Sequence, residues 1–138
     1  MDAPERYEQL IAFLDSNLTA PVERREEPDG ALNFVGGEPP EVVVALTETS
    51  VIVSEFAATW DSPFSLTSRP RRVGVLKWRR LPETALFNAL SALIKGAREA
   101  RRSGFRICQG CGRSTPPEWL HTESVCQRCA DEDHGRIH

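Results

Sequence analysis

Four cysteines give this chain its clearest chemical spacing. Cys108 and Cys111 form one C-x2-C pair, Cys126 and Cys129 form a second, and fourteen residues separate Cys111 from Cys126. A two-residue spacer turns both thiols of a pair inward on one tight loop. Two such pairs converge across a short hairpin or loop into a set of four soft donors. Thiolates in this arrangement hold a tetrahedral ion at about 2.3 Å, and one Zn2+ is the cofactor the spacing predicts. Gly110 and Gly112 flank Cys111 and are expected to relieve backbone strain in the first loop. Catalytic zinc keeps a position open beside three protein ligands, whereas four thiolates close the shell, so the expected role is structural.

Other readings of the cysteines fit less well. A disulfide framework spreads its bridges to close long loops, and two C-x2-C disulfides would be short and strained. A thioredoxin-like C-x2-C sits singly at a strand–helix junction of a βαβ unit. An iron–sulfur site is chemically compatible with four thiolates and is separated from zinc by metal analysis. His121, His134 and His138 are further candidate ligands, but four cysteines in matched pairs need none of them. No H-E-x-x-H helix, zinc-deaminase H-x-E signature, P-loop or dinucleotide-binding loop occurs. Glu118 and Glu123 read as solvated carboxylates. No catalytic residue and no small-molecule substrate are inferred, and the chain is expected to be non-enzymatic.

The elements that must position these cysteines are legible from periodicity and punctuation. Residues 2–17 carry Tyr7, Leu10, Ile11 and Leu14 at helical spacing behind a candidate cap at Asp2, which predicts an amphipathic helix. Residues 19–40 are rich in Pro, Gly and charge and read as a loop, with a short strand at 32–35 and a solvated charge run at 23–27. Two β-branched runs, 42–46 and 51–56, surround a polar turn and predict paired strands. A short strand is expected at 64–66 and a further main strand at 73–78. The latter has Val73, Val75 and Lys77 on one face, and Gly74, Leu76 and Trp78 on the other. Residues 83–103 form the strongest helix, its apolar stripe running through Leu86, Phe87, Leu90, Leu93, Ile94 and Ala97 to a glycine cap at Gly104. The expected fold is α+β: a small antiparallel sheet with an N-terminal helix and a long amphipathic helix, followed by a C-terminal four-cysteine zinc module. The boundary falls at 104, giving a body over 1–104 and a module over 105–138 too small to bury a core of its own.

Of the 138 residues, 17 are Lys or Arg and 20 are Asp or Glu, a formal charge of −3 that conceals a segregation. Residues 1–60 hold three basic against twelve acidic residues, and residues 61–138 hold fourteen basic against eight acidic. The densest stretch, 69–106, carries eleven basic residues against only Glu83 and Glu99. Such asymmetry speaks to partners, and it names Arg71, Arg72, Arg79, Arg80, Lys95, Arg98, Arg101, Arg102 and Arg106 as candidate nucleic-acid contacts. Arginine suits bidentate phosphate contacts, and Trp78 and Trp119 offer stacking surfaces, although Trp78 also reads as core. The pI of about 5.6 argues the other way, because dedicated nucleic-acid domains commonly exceed about 9. Helix C-termini favour cations through the macrodipole alone, and the basic half can pair with the chain's own acidic half. No apolar run approaches a membrane span or a signal-peptide h-region, so the expected location is cytoplasmic, with no membrane partner.

The sequences Cys108-Gln109-Gly110-Cys111-Gly112 and Cys126-Gln127-Arg128-Cys129-Ala130 resemble the four-cysteine zinc-ribbon and treble-clef finger superfamily. Within it, the layout is similar to the C-terminal finger of DksA/TraR-type transcription regulators. The resemblance covers only about 30 residues of the chain. It implies zinc binding through the four cysteines and contact with DNA, RNA or protein. The chain departs from those regulators at Pro116-Pro117-Glu118-Trp119-Leu120, and in reading as a sheet over 41–80 where they have a helical hairpin. The expected function is that of a regulatory or adaptor protein contacting nucleic acid through the basic flank and the finger. The alternative is a protein-interaction module with purely structural zinc, which self-associates or docks on a charged partner.

Overall fold

The structure is a computed structural model, and it describes residues 3–136, with side chains described through residue 132. Helix α1 (Ala3–Asn17) is followed by strands β1 (Val22–Glu26), β2 (Leu32–Gly36), β3 (Val42–Leu46) and β4 (Val51–Glu55). A hairpin of β5 (Ala58–Ser62) and β6 (Ser65–Ser68) precedes β7 (Arg71–Leu76) and the long helix α2 (Glu83–Ser103). The candidate cap Asp2 lies outside the described residues.

The main sheet is antiparallel throughout and runs β1-β2-β3-β4-β7, with β5 and β6 forming a separate hairpin inserted between its last two strands. Register decides which side chains enter the core. Phe34, Val44 and Val53 lie opposite one another across three strands, and all three are fully buried. They join Leu10, Leu14, Leu86, Leu90, Ile94 and Ala97 from the two helices in one core. Gly74 continues the Phe34–Val44–Val53 row on β7, and an added Cβ there would stand 2.6 Å from Leu93 Cδ2. The missing side chain is what lets α2 lie close on the sheet.

The fold class is therefore α+β, as the patterning predicts, with differences at the edges. The charge run expected to be solvated loop is the edge strand β1. Its Glu23, Arg24, Arg25 and Glu26 are exposed, and its backbone is held by full pairing with β2. An edge strand polar on both sides has no period-two signature, because its stability comes from ladder hydrogen bonds rather than side-chain burial. The expected short strand at 64–66 resolves into the β5–β6 hairpin, with Phe64 at its turn. Strand β7 ends at Leu76, so Trp78 lies beyond it and turns into the core, where its indole Nε1–H donates to Thr47 O at 2.9 Å. Val73 and Val75 share one face, as the alternation predicts, and the structure shows that face to be the exposed one. Gly104 caps α2, as expected, and does so in a right-handed conformation (φ −87°). Its lack of a side chain has another reason: a Cβ would stand 2.9 Å from Pro117 Cγ, in the cysteine-bearing segment.

Candidate metal centre

Strand β8 (Arg106–Ile107) pairs antiparallel with β9 (Ser114–Thr115), and the loop they close carries Cys108 and Cys111. A short helical turn, Pro117–Trp119, leads into the hairpin of β10 (Leu120–Thr122) and β11 (Val125–Cys126). Helix α3 (Gln127–Arg136) follows at once, so Cys126 ends the hairpin and Cys129 sits in the first turn of the helix. The first loop closes through Gly112 N–H to Cys108 O (2.8 Å) and Cys108 N–H to Arg113 O (2.9 Å). It is tied to the second hairpin by Gln109 N–H to Ser124 O at 2.8 Å.

The four sulfurs all lie within 4.8 Å of one another. Cys108 Sγ is 3.6 Å from Cys129 Sγ, and Cys111 Sγ is 3.9 Å from Cys126 Sγ. A tetrahedron with metal–sulfur bonds of ~2.3 Å has edges of about 3.8 Å. The two separations bracket that edge, so the four cysteines are positioned to hold one metal ion. Cys108, Cys126 and Cys129 are buried, and Cys111 is exposed. Among the described residues, those three cysteines cluster with Val125 packed against them, and Ala130 is the other buried apolar residue of this segment. With so little apolar burial, an ion held by the four sulfurs would supply a crosslink that side-chain packing does not.

Backbone donors prepare the sulfurs for negative charge. Gly110 N–H and Cys126 N–H point at Cys108 Sγ (3.3 and 3.4 Å), and Cys129 N–H points at Cys126 Sγ (3.4 Å). The N–H groups of Cys126, Cys111 and Gly110 push the Cys108 thiol down to about 6. Cys129 moves up, because its proton is shared with the sulfurs of Cys126 and Cys108 and burial disfavours its charge. A divalent cation among the sulfurs removes that conflict by balancing several thiolates at once.

The two glycines serve different needs. Gly112 takes φ +74°, a left-handed conformation in which a side chain is strained. Gly110 does not take a positive φ. Its missing Cβ would stand 2.9 Å from Cys129 Sγ, so it makes room for a ligand and relieves no strain. Among the described residues, the metal-competent group contains the four cysteines and no histidine. His121 lies on β10, while the side chains of His134 and His138 lie outside the described residues.

The cysteine-bearing segment is fastened to α2 by a buried ion pair. Arg101, in the last turn of α2, donates from Nη1 to Glu118 Oε2 (2.8 Å) and from Nη2 to Glu118 Oε1, while its Nε–H reaches Pro40 O at 2.9 Å. Phe56 and Phe105 cover the guanidinium, with ring centroids 4.9 and 5.0 Å away. Glu118, expected as a solvated carboxylate, is buried. Nothing in the sequence separates Arg101 from Arg98 and Arg102, and only the docked module supplies its partner. A further tie is Trp60 Nε1–H to Glu118 O at 2.7 Å.

The rest of the basic stretch is dispersed. Arg102 pairs with Glu41, and Arg98 lies 3.9 Å from the same carboxylate while donating to Asn17 O at 3.0 Å. Burial acts to raise the pKa of Glu41, but hydrogen bonds from Arg102 and Thr19 and the charges of Arg102 and Arg98 outweigh it, leaving this carboxyl below its usual range. Arg71 pairs with Glu55 at 3.1 Å. Arg79 donates to Glu48 O at 2.7 Å and lies over the Trp78 ring. Arg106 folds back on Ser103 O and Phe105 O. Arg72, Arg80 and Lys95 are exposed, with no ion pair among the described residues. The one correction is Arg101: its guanidinium is sealed inside the protein and presents no surface to a phosphate. Among the described residues, no helix is long and apolar enough to cross a membrane. No family model, no curated protein and no solved structure matches the chain.

Proposed function

We propose that this chain is a non-enzymatic adaptor in which Cys108, Cys111, Cys126 and Cys129 hold one structural Zn2+, and which works in the cytoplasm by contacting a protein partner. The observation that carries the reading is the sulfur geometry: separations of 3.6 and 3.9 Å bracket the edge of a zinc–thiolate tetrahedron. When bound, the ion supplies a crosslink between two hairpins. Four protein thiolates fill its shell and leave no position for a reacting water, which supports a structural role. The order of cysteine loop, hairpin and helix supports the treble-clef side of the superfamily resemblance. That likeness covers the cysteine segment alone, because residues 41–80 form strands β3 to β7 and carry none of the helical hairpin of the DksA/TraR regulators.

Protein is favoured over nucleic acid as the partner because the densest cations of the basic stretch, Arg98, Arg101 and Arg102 on α2, are matched within the chain at Glu41 and Glu118, and Arg71 is matched at Glu55. Metal analysis with absorption spectroscopy tests the site: one zinc per colourless chain is expected, and substoichiometric zinc or a visible thiolate-to-iron band overturns it. Titration with duplex and single-stranded oligonucleotides at about 50 and 200 mM salt tests the partner class. No saturable binding is expected. Binding that weakens steeply with salt would restore the nucleic-acid reading.

A further inference from the structure

Between the β5–β6 hairpin and the cysteine module lies a cleft of about 660 Å³, lined by Trp60, Ser62, Pro63, Trp119, Gln127 and Asp131. Its two indoles stand nearly at right angles, with centroids 5.2 Å apart and planes at 84°. Both face solvent in part, Trp60 at 39% and Trp119 at 44% exposure, whereas the third tryptophan, Trp78, is 1% exposed. The walls are anchored. The Trp60 indole N–H is fixed on Glu118 O, the Glu118 carboxylate is held by Arg101, and Gln127 Nε2 donates to Leu120 O at 3.4 Å. Nearby charges are already matched, Arg69 with Asp61 at 3.3 Å and Arg128 with Glu132 at 3.3 Å. Asp131 is exposed and has no ion pair among the described residues.

Two partly exposed indoles lining one cleft with a carboxylate that has no ion pair among the described residues select a cation. The geometry points to a docking cleft for an arginine side chain presented on an extended segment of a protein partner. A guanidinium is planar and weakly hydrated, so it stacks on an indole while its fork donates to the Asp131 carboxylate; an ammonium is a strongly hydrated point charge and does the first poorly. The cleft exceeds the volume of one guanidinium and takes flanking residues as well. Pro63 and the neighbouring Phe64, 96% exposed at the hairpin turn, give them an apolar rim. The inference rests on the adaptor reading above, because the module supplies Trp119, Gln127 and Asp131. Gln127 directly follows Cys126, and Asp131 lies two residues past Cys129.

The test follows the indole N–H resonances of the full zinc-loaded chain during titration with acetyl-Gly-Pro-Arg-Pro-Gly-amide, using its citrulline analogue as the neutral isostere. Saturable shifts of the Trp60 and Trp119 signals at up to about 1 mM peptide are expected, with Trp78 unmoved as an internal control. Citrulline, or the Asp131→Asn variant, should weaken binding about tenfold. Asp131→Asn lies on an exposed position, and an unchanged zinc content with an unchanged Trp119 signal before peptide is added certifies the fold around it. Equal binding of the arginine and citrulline peptides, or indoles that do not move, overturns the cleft. Tetramethylammonium shifting both indoles as strongly as the peptide overturns the arginine assignment. Shifts on simple dilution assign the cleft to a second copy of the chain and overturn the partner. Zinc content measured on the same sample separates the two readings. A zinc-loaded chain that fails to bind defeats the cleft alone, and a zinc-free chain that binds defeats the metal reading and sustains the cleft.

Discussion

Removing the guanidinium of Arg101 strikes the point where the module and the body are joined. Both side chains of the Arg101–Glu118 pair are 3% exposed, so Arg101→Met leaves a carboxylate buried without its partner. Breaking one side of such a pair costs about 3–5 kcal/mol. The loss of the two ring contacts at Phe56 and Phe105 and of the bond to Pro40 O acts in the same direction. One relaxation path limits the damage: the module can swing off the body and rehydrate Glu118, so the cost cannot exceed the free energy of docking. Urea unfolding in excess zinc reads the effect. With a slope of about 2 kcal/mol/M, the midpoint should fall by about 1.5–2.5 M, or the transition should split, with Trp60 and Trp119 becoming exposed before Trp78. Glu118→Gln keeps the shape and one acceptor, and should cost about 1–3 kcal/mol. The double variant Arg101→Met/Glu118→Leu removes both charges and should recover most of the loss, since an apolar pair of similar volume replaces a buried ion pair at little cost. A single variant within about 0.5 kcal/mol of the parent, or a double variant as damaged as the sum of its parts, would refute this account of the joint.

Three further outcomes follow from the same geometry. Gly110→Ala places a methyl 2.9 Å from Cys129 Sγ, so competition with a chromophoric chelator should report at least about tenfold weaker metal binding, with the core around Trp78 unaffected. Chelation of the metal, or Cys108→Ser or Cys126→Ser, should open trypsin cleavage at Arg106, Arg113 and Arg128 while residues 3–103 stay resistant; unchanged resistance of the last thirty residues would count against a metal-ordered module. The depressed pKa of Glu41 supplies stability that is present above the unfolded carboxyl range and is lost as pH falls through the lower folded value. The parent should therefore lose more stability than Glu41→Gln between about pH 5 and pH 3, a difference in which zinc loss, common to both, cancels. Equal losses would show that Glu41 gains nothing from Arg102 and Arg98.

Some elements were readable because their signals are local. The stripe Leu86–Leu90–Ile94–Ala97 marks α2, and these four are buried, whereas Arg101, buried on the same helix, is not a residue periodicity names. The β-branched runs of β3 and β4 stand on either side of a short polar turn, and that local layout pairs them. Strand β1 was not readable, since edge pairing leaves no trace in side-chain polarity. The same holds for Gly104 and Gly110, whose reasons lie in atoms 13 and 19 residues away along the chain, at Pro117 and Cys129.

The sequence alone determined the donor set. Thiol chemistry and two-residue spacing define four sulfurs that converge on one ion wherever the module sits. Only the tertiary structure decided what the arginines do. Charge is a property of a residue, but its consequence depends on what it faces across the fold. Arg101 becomes a buried fastener, Arg98 and Arg102 converge on Glu41, and Arg72, Arg80 and Lys95 stay in solvent. The paired indoles of Trp60 and Trp119 come from segments that only docking brings together, so the cleft they form exists at no level below the folded chain.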